Sequence, residues 1–265
     1  MREAGHTEGQ RAPRITILTD FGTADGYVAA MKGVICAAAP GVRVDDATHD
    51  VPPGDILAGA WALAAYWQHY PEGTVHVAVV DPGVGGDRRA IAVQVAGRFG
   101  VGPDNGIFTH VLRQTGGRPH AAVELRPPDT ASATFHGRDV FAPAAARIAL
   151  RGSLDGLGPA VEDPVTLPVT GAAARDGVVR GEVVHVDRFG NLITNIGREL
   201  LPPSAQVMLL GSSCPLVRTY AEGEAGSLVA VVGSRDVLEV SVRDGSAAVA
   251  LGARRGDAVE VRPAG

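Results

Sequence analysis

The chain has 265 residues, enough for one large domain or two smaller ones, each with a substantial core. Its formal net charge of -5 supplies no basic field for gripping phosphates, which excludes a general nucleic-acid binder and points to a small-molecule partner. Cys36 and Cys214 form no C-x-x-C pair or disulfide framework, as fits a reducing cytoplasm, no apolar run approaches a membrane span, and the polar residues 1–14 lack a signal-peptide core.

Abundant alanine, glycine and arginine with few aromatics fit a GC-rich bacterial genome and carry no functional weight. In chain order, residues 15–19 read as a buried strand and 25–39 as a helix with Asp25 as its cap, ending before Pro40-Gly41. A strand over 42–46 precedes a helix from Asp55, whose Ile56, Ala60, Leu63 and Trp67 fall at helical spacing, and Pro71-Glu72-Gly73 breaks it before a strand over 75–80. Strands over 90–95 and 99–101, a helix over 105–114 capped by Asp104 or Asn105, and a long helix over 139–150 extend this βαβαβ rhythm. The expected architecture is an α/β N-terminal domain with a mainly parallel sheet, over 14–151.

Residues 152–177, rich in glycine, proline and alanine without periodicity, read as a linker. Short strand-like runs separated by turn signals, with no convincing helix, then predict a smaller all-β, barrel-like C-terminal domain over 178–262. No repeat or heptad occurs.

Chemistry-bearing residues gather at element edges. Asp20 follows the first strand, where α/β proteins bind ligands, and could accept both ribose hydroxyls, although a turn aspartate needs no ligand. Asp81 follows another strand and opens Pro82-Gly83-Val84-Gly85-Gly86, which lacks the lysine and hydroxyl residue of a P-loop and has the wrong spacing for a dinucleotide fingerprint. Arg88 and Arg89 follow, and on a strand starting there they would face opposite ways. His136 lies in Thr134-Phe135-His136-Gly137-Arg138-Asp139, whereas His49, His76 and His185 have no such context and read as structural or solvent-facing. Nothing gathers metal ligands at metal-site spacing, so no metal is expected.

Asp81-Pro82-Gly83-Val84-Gly85-Gly86-Asp87-Arg88-Arg89 and Thr134-Phe135-His136-Gly137-Arg138-Asp139, with Thr19-Asp20-Phe21-Gly22, Gly102-Pro103-Asp104-Asn105-Gly106 and Asp187-Arg188-Phe189-Gly190-Asn191, stand in one order along the chain. Together, over roughly residues 14–262, they resemble the S-adenosylmethionine hydroxide adenosyltransferases, which are related to fluorinases and chlorinases. The resemblance implies Asp81, Arg88 and His136 as catalytic residues, with Arg88, seven residues after Asp81, as the family's arginine. It implies that Asp20 holds the nucleoside sugar and that Phe189 and Asn191 sandwich and hydrogen-bond adenine. Ser234-Arg235, with Glu239 and Ala247 beyond, resembles the family's last motif: the Ser-Arg pair and Asp187 would hold the methionine carboxylate and ammonium, while backbone near Ala247 reads the adenine edge. It further implies a homotrimer with active sites between subunits, and no cofactor, S-adenosylmethionine being the substrate.

The expected reaction is hydrolysis to adenosine and L-methionine. The sulfonium leaves as a neutral thioether and needs no acid, so the task is to place a water in line with the C5′–S bond. Asp81 or neutral His136 could take its proton, and a guanidinium beside the aspartate would make it the weaker base. A halogenase is the alternative, but fluorinases carry serine where Gly137 stands and tyrosine where His136 stands, and lack an acid at the place of Asp81; a negative Asp81 would also repel a halide. A non-catalytic S-adenosylmethionine or adenosine sensor would need no Asp-Arg-His group.

Overall fold

The computed structural model describes residues 12–117 and 119–264. Residues 1–11, most of the polar start read above, lie outside them. The chain divides into two compact units, the first running to Leu167 and the second beginning at Pro168.

In the first unit, β1 (Arg14–Thr19), α1 (Tyr27–Ala38), β2 (Arg43–Thr48), α2 (Ile56–Tyr66) and β3 (Val75–Val79) follow each other as parallel strands and crossover helices. β4 (Ala90–Val95), β5 (Arg98–Pro103), α3 (Thr109–Arg113), β6 (Ala121–Leu125) and α4 (Ala142–Arg151) complete it. The sheet order is β2-β1-β3-β5-β4-β6, with β1 parallel to β2 and β3, β3 parallel to β5, and β4 antiparallel to β5 and β6. The sheet is thus mainly parallel, with an antiparallel edge.

Strand alternation builds the layers. Ile15, Ile17, Val75, Val77 and Val79 pack with Met31 and Ile35 of α1 and Ile148 of α4 on one face. Leu18, Ala78, Val80, Ile91 and Val93 meet Leu63, Trp67 and Leu112 on the other. Both faces are covered, so the central strands read as continuous apolar runs.

Four local readings change. α1 starts at Tyr27 behind Gly26 with no side-chain cap, so Asp25 is not a cap, whereas Asp55 does cap α2 by accepting from the Ala58 amide at 3.0 Å. The helix expected over 105–114 is only Thr109–Arg113, because Gly106 takes φ +97° and Asn105 turns back to donate to the Val80 carbonyl at 2.9 Å. α4 is entered through a wide π turn over Gly137–Phe141. Of residues 152–177, the stretch to Leu167 lies on the first unit, with Leu154 and Val161 buried and the Val161 amide donating to Ala122.

The second unit holds β7 (Ala173–Arg175), β8 (Val178–Val186), β9 (Leu192–Gly197), β10 (Ala205–Leu209), β11 (Ser212–Pro215), β12 (Leu228–Val232), β13 (Val237–Val242), α5 (Ala247–Leu251) and β14 (Ala258–Pro263). Its antiparallel sheet runs β11-β10-β14-β8-β9-β13-β12 with β7 beside β8, and an isolated bridge between Leu216 and Ala230 nearly joins its ends. Inward-facing Val183, Leu192, Ile196, Val207, Leu238, Val240 and Val259 fill this barrel-like unit. The expectation of no helix missed α5, a single capped turn: Ser246 accepts from the Val249 amide at 3.2 Å, and Gly252 ends it at φ +64°. No helix among the described residues is long and apolar enough to cross a membrane.

Candidate active site

Asp81 leaves the carboxyl edge of β3, and its loop returns at β4 with Arg88. Gly85 takes φ +77°, and a Cβ there would sit 2.3 Å from the Ala133 carbonyl oxygen, so only glycine lets this loop press against the segment carrying His136. The π turn starts directly after His136, and such turns re-aim a side chain without ending the helix.

These constraints bring three groups together. Arg88 Nε donates to Asp81 Oδ1 and Oδ2 at 3.0 and 3.1 Å, and Nη2 donates to Oδ2 at 2.5 Å. The same Nη2 lies 2.8 Å from His136 Nδ1. The Asp81 and Arg88 side chains are only 4% and 11% exposed, and the Arg88 guanidinium carbon stands 5.7 Å over the ring of buried Phe141. A guanidinium only donates, so Nδ1 must offer a lone pair, and the neutral ring then carries its proton on Nε2, as a donor. Burial first, then the Arg88 charge, hold the His136 pKa below its ordinary 6.5, against opposite pulls from Asp81 and Asp139. The unfolded chain therefore binds this proton before the folded one does, and stability from this group, full above 6.5, is lost as pH falls through the lowered folded value.

Asp20 stands at the end of β1, its Oδ2 accepting from the Gly54 amide at 2.8 Å. Its turn reaches both other segments: a Cβ on Gly54 would meet Pro82 Cβ at 3.9 Å, and the Phe21 and Phe135 rings cross edge to face with centroids 6.2 Å apart. Tyr27 closes this aromatic triangle, 6.1 Å from Phe21 and 5.4 Å from Phe135.

Arg89 points away from this group, although β4 begins only at Ala90 and neither arginine lies in a strand. It donates to Asp104 Oδ2 at 2.7 Å and to Asp163 Oδ1 at 2.8 Å, while Asp104 Oδ1 accepts from the Val165 amide at 2.7 Å. His76 is fully buried, bonded through Nδ1 to Thr16 at 2.8 Å and pushed down to about 3 by burial, so it is a neutral structural group.

In the second unit, Asp187, Phe189, Asn191, Ser234 and Glu239 line an open cavity of about 970 Å³. Asp187 organises its own turn: Oδ1 accepts from the Phe189 and Asn191 amides, each at 2.9 Å, and Oδ2 from Asn191 Nδ2 at 2.8 Å. Asn191 thus keeps its Oδ1 for another partner, while Phe189 is 75% exposed. Gly190 takes φ +80°, and a Cβ there would collide with Ser246 at 1.9 Å, so glycine seats this turn on the start of α5. Ala247 is buried beneath it, and the Ala248 amide donates to the Gly190 carbonyl at 3.0 Å.

Arg235 and Ala247 are not among the cavity's lining residues. Burial lowers the Arg235 pKa to about 10, opposed by Glu239. Burial raises that of Glu239, with Asp187 adding to it, against Tyr220 and Arg235. Tyr220, on the cavity wall, donates to Glu239 Oε2 at 2.7 Å and was missed by sequence reading, since a lone tyrosine between a threonine and an alanine carries no local signal. No group of three or more histidine, cysteine, aspartate or glutamate side chains among the described residues is arranged to hold a metal.

An α/β unit with a nearly buried acid, guanidinium and imidazole, followed by a β-barrel-like unit with an open cavity lined by polar and apolar side chains, defines a two-unit class of protein. Residues 15–158 match the SAM hydroxide adenosyltransferase N-terminal domain and 181–260 the C-terminal domain, and the chain belongs to this family. It is 45% identical over 260 residues to the (R)-S-adenosyl-L-methionine hydrolase of Salinispora arenicola, covering 94% of this chain and 97% of that protein. It is 28% identical over 274 residues to the fluorinase of an Actinoplanes species, covering 86% and 90%. A crystal structure of an uncharacterized conserved protein from Thermotoga maritima superposes with a TM-score of 0.86 at 30% identity, covering 94% of this chain and 99% of that one.

Proposed function

We propose that this protein is a hydrolase that splits S-adenosyl-L-methionine into adenosine and L-methionine by in-line attack of water at C5′. The observation that carries this reading is the Arg88 guanidinium joining Asp81 and His136 in one nearly buried group. Relatives 45% identical over nearly the whole chain, named for this hydrolysis, support it, and the fluorinases are more distant.

The oxygen–C5′ bond forms as C5′–S breaks, the bonding pair leaves on sulfur as neutral thioether, and one water proton passes to the protein and then to solvent. His136 Nδ1 is engaged by Arg88, so its Nε2–H is a donor that orients the water, and Asp81 is the acceptor. Oδ1 of Asp81 takes one Arg88 bond to the two on Oδ2 and keeps a lone pair for the water's proton. Asp20 would receive the ribose hydroxyls, Phe189 and Asn191 the adenine, and Ser234, Arg235, Asp187 and Glu239 the methionine end, with Ala247 backbone at the adenine edge. No metal enters these steps, because the sulfonium is already an activated leaving group.

The halogenase alternative is disfavoured by the nearly buried Asp81 carboxylate, which repels an anion. In halide-free, metal-free ¹⁸O water the purified protein is expected to yield adenosine labelled at the 5′-hydroxyl, identified by chromatography and mass spectrometry. A strict halide requirement, or an unlabelled product, would overturn the reading.

Asn191→Ala is expected to weaken adenosine binding about 5- to 100-fold, the loss of one buried hydrogen bond to the base, while kcat changes little, because adenine is held equally in ground and transition states. An unchanged dissociation constant by calorimetry removes Asn191 from the site. The reading extends to the cytoplasm, supported by two free cysteines, and to a homotrimer with shared sites, supported by the family and by the division of candidate groups between the two units. Sedimentation velocity giving a monomer at working concentration refutes the trimer.

A further inference from the structure

Behind Asp20 lies a hydrogen-bonded relay of residues that the reaction does not touch. Lys32 Nζ donates to Asp46 Oδ2 at 2.6 Å, and His49 Nε2 lies 2.9 Å from Asp46 Oδ1. His49 Nδ1 is 2.9 Å from Thr19 Oγ1, which accepts from the Phe21 amide at 3.2 Å. Thr19 and His49 are both buried. A carboxylate only accepts, so Nε2 carries a proton toward Asp46, Nδ1 shares a hydrogen bond with the Thr19 hydroxyl, and the Thr19 oxygen accepts from Phe21 N–H. Every member of the relay thus has a hydrogen-bond partner.

The relay grips one short turn at two points. Thr19 holds the Phe21 amide through its side chain, and the His49 carbonyl accepts from the Gly22 amide at 2.9 Å. Both held amides directly follow Asp20, while on its other side Thr19 is the last residue of β1, paired with Val79 of β3. A register shift lies beside this turn: Ile17 pairs with Asp46 but Leu18 pairs with Thr48, which leaves Ala47 as an extra residue in β2 just before His49.

We infer that Thr19 and His49 are positioning residues that aim the Asp20 carboxylate at the sugar diol, by locking the two peptide planes that follow it. A carboxylate that must meet two adjacent hydroxyls needs a fixed direction, and with Oδ2 already held by the Gly54 amide, that direction depends on the turn's backbone. The inference rests on the proposed contact between Asp20 and the ribose hydroxyls, and its test separates the two.

The test compares the dissociation constants of adenosine and 2′,3′-dideoxyadenosine by calorimetry, with a melting curve for each variant of the full chain. Asp20→Asn is expected to lower the preference for adenosine at least tenfold, as for loss of a charged acceptor. Thr19→Val, which keeps the shape and removes the hydroxyl, and His49→Gln, which reaches Asp46 but not Thr19, are each expected to lower it about fivefold, as for misdirection without loss of charge. Thr19→Ser restores it to within about twofold, since it keeps the relay's hydroxyl. A role in stability alone would lower melting temperatures while leaving the ratio at its wild-type value. If Asp20→Asn collapses the preference and both relay variants retain it, the positioning role is refuted. If Asp20→Asn itself changes nothing, the diol contact is refuted and the relay's purpose falls with it.

Discussion

Replacing Asp81 with asparagine lowers kcat by about three orders of magnitude while the adenosine dissociation constant stays within a few-fold of wild type, the pattern of a group that acts on the water and not on the nucleoside. The change keeps the shape of the side chain and removes its charge. Asparagine keeps one acceptor oxygen but puts an NH2 donor in place of the other, so Arg88 loses part of its fork and the water loses the carboxylate that takes its proton. His136→Ala removes the other hold on the water, yet the double variant Asp81→Asn/His136→Ala loses little beyond the worse single one, because groups sharing one transition state fail together. Stopped-assay chromatography of adenosine release gives both comparisons. Strictly additive losses would mean separate roles, and near-normal turnover in the double variant would return the non-catalytic sensor as the better account.

The adjacent arginines separate chemistry from stability. Arg88→Lys keeps a cation but cannot span Asp81 and His136 with a planar fork, so kcat falls about 100-fold with the melting temperature little changed. Arg89→Ala does the reverse. It leaves turnover within about twofold, yet strips the cation from Asp104, whose side chain is 1% exposed, and costs about 2 kcal/mol of stability. In a chain of this size that lowers the melting temperature by roughly 5 °C. Calorimetric melting beside kcat decides it, and an Arg89 variant that melts normally but turns over slowly would exchange the two roles.

The sequence suggested this contrast from a strand expected at Arg88, whereas β4 begins at Ala90 and the two side chains diverge just before it. It did not disclose the partner of Arg89: Asp104 looked like a helix cap, a role aspartate takes so often that a buried ion pair with a residue 15 positions earlier has no local sign. β1 and β3 were legible because burial on both faces leaves an unbroken apolar run. The antiparallel partnership of β4 and β5 was not, since Ala96 and Gly97 form a two-residue turn with φ +49° and +74°, a conformation usually announced by asparagine or aspartate before the glycine. β6 escaped because its alternation is short and weak, and α5 because five residues are too few to show a period. At the site, Asp81, Arg88 and His136 came from a family resemblance in spaced motifs. Residue spacing alone could not have closed a gap of 48 positions between Arg88 and His136, which depends on Gly85 lying against Ala133.

The barrel-like unit closes at a single bridge, Leu216 to Ala230, supported by the Val217 amide on the Ala230 carbonyl at 2.8 Å. A ring of strands is as firm as its weakest joint, and local opening begins where the backbone has fewest partners. The cavity walls continue directly from both sides of that joint, through Arg218 to Ala221 on one and Val231 to Gly233 on the other. A molecule that filled the cavity would touch both sides of the seam, so occupancy is expected to protect the amides of this joint from hydrogen exchange.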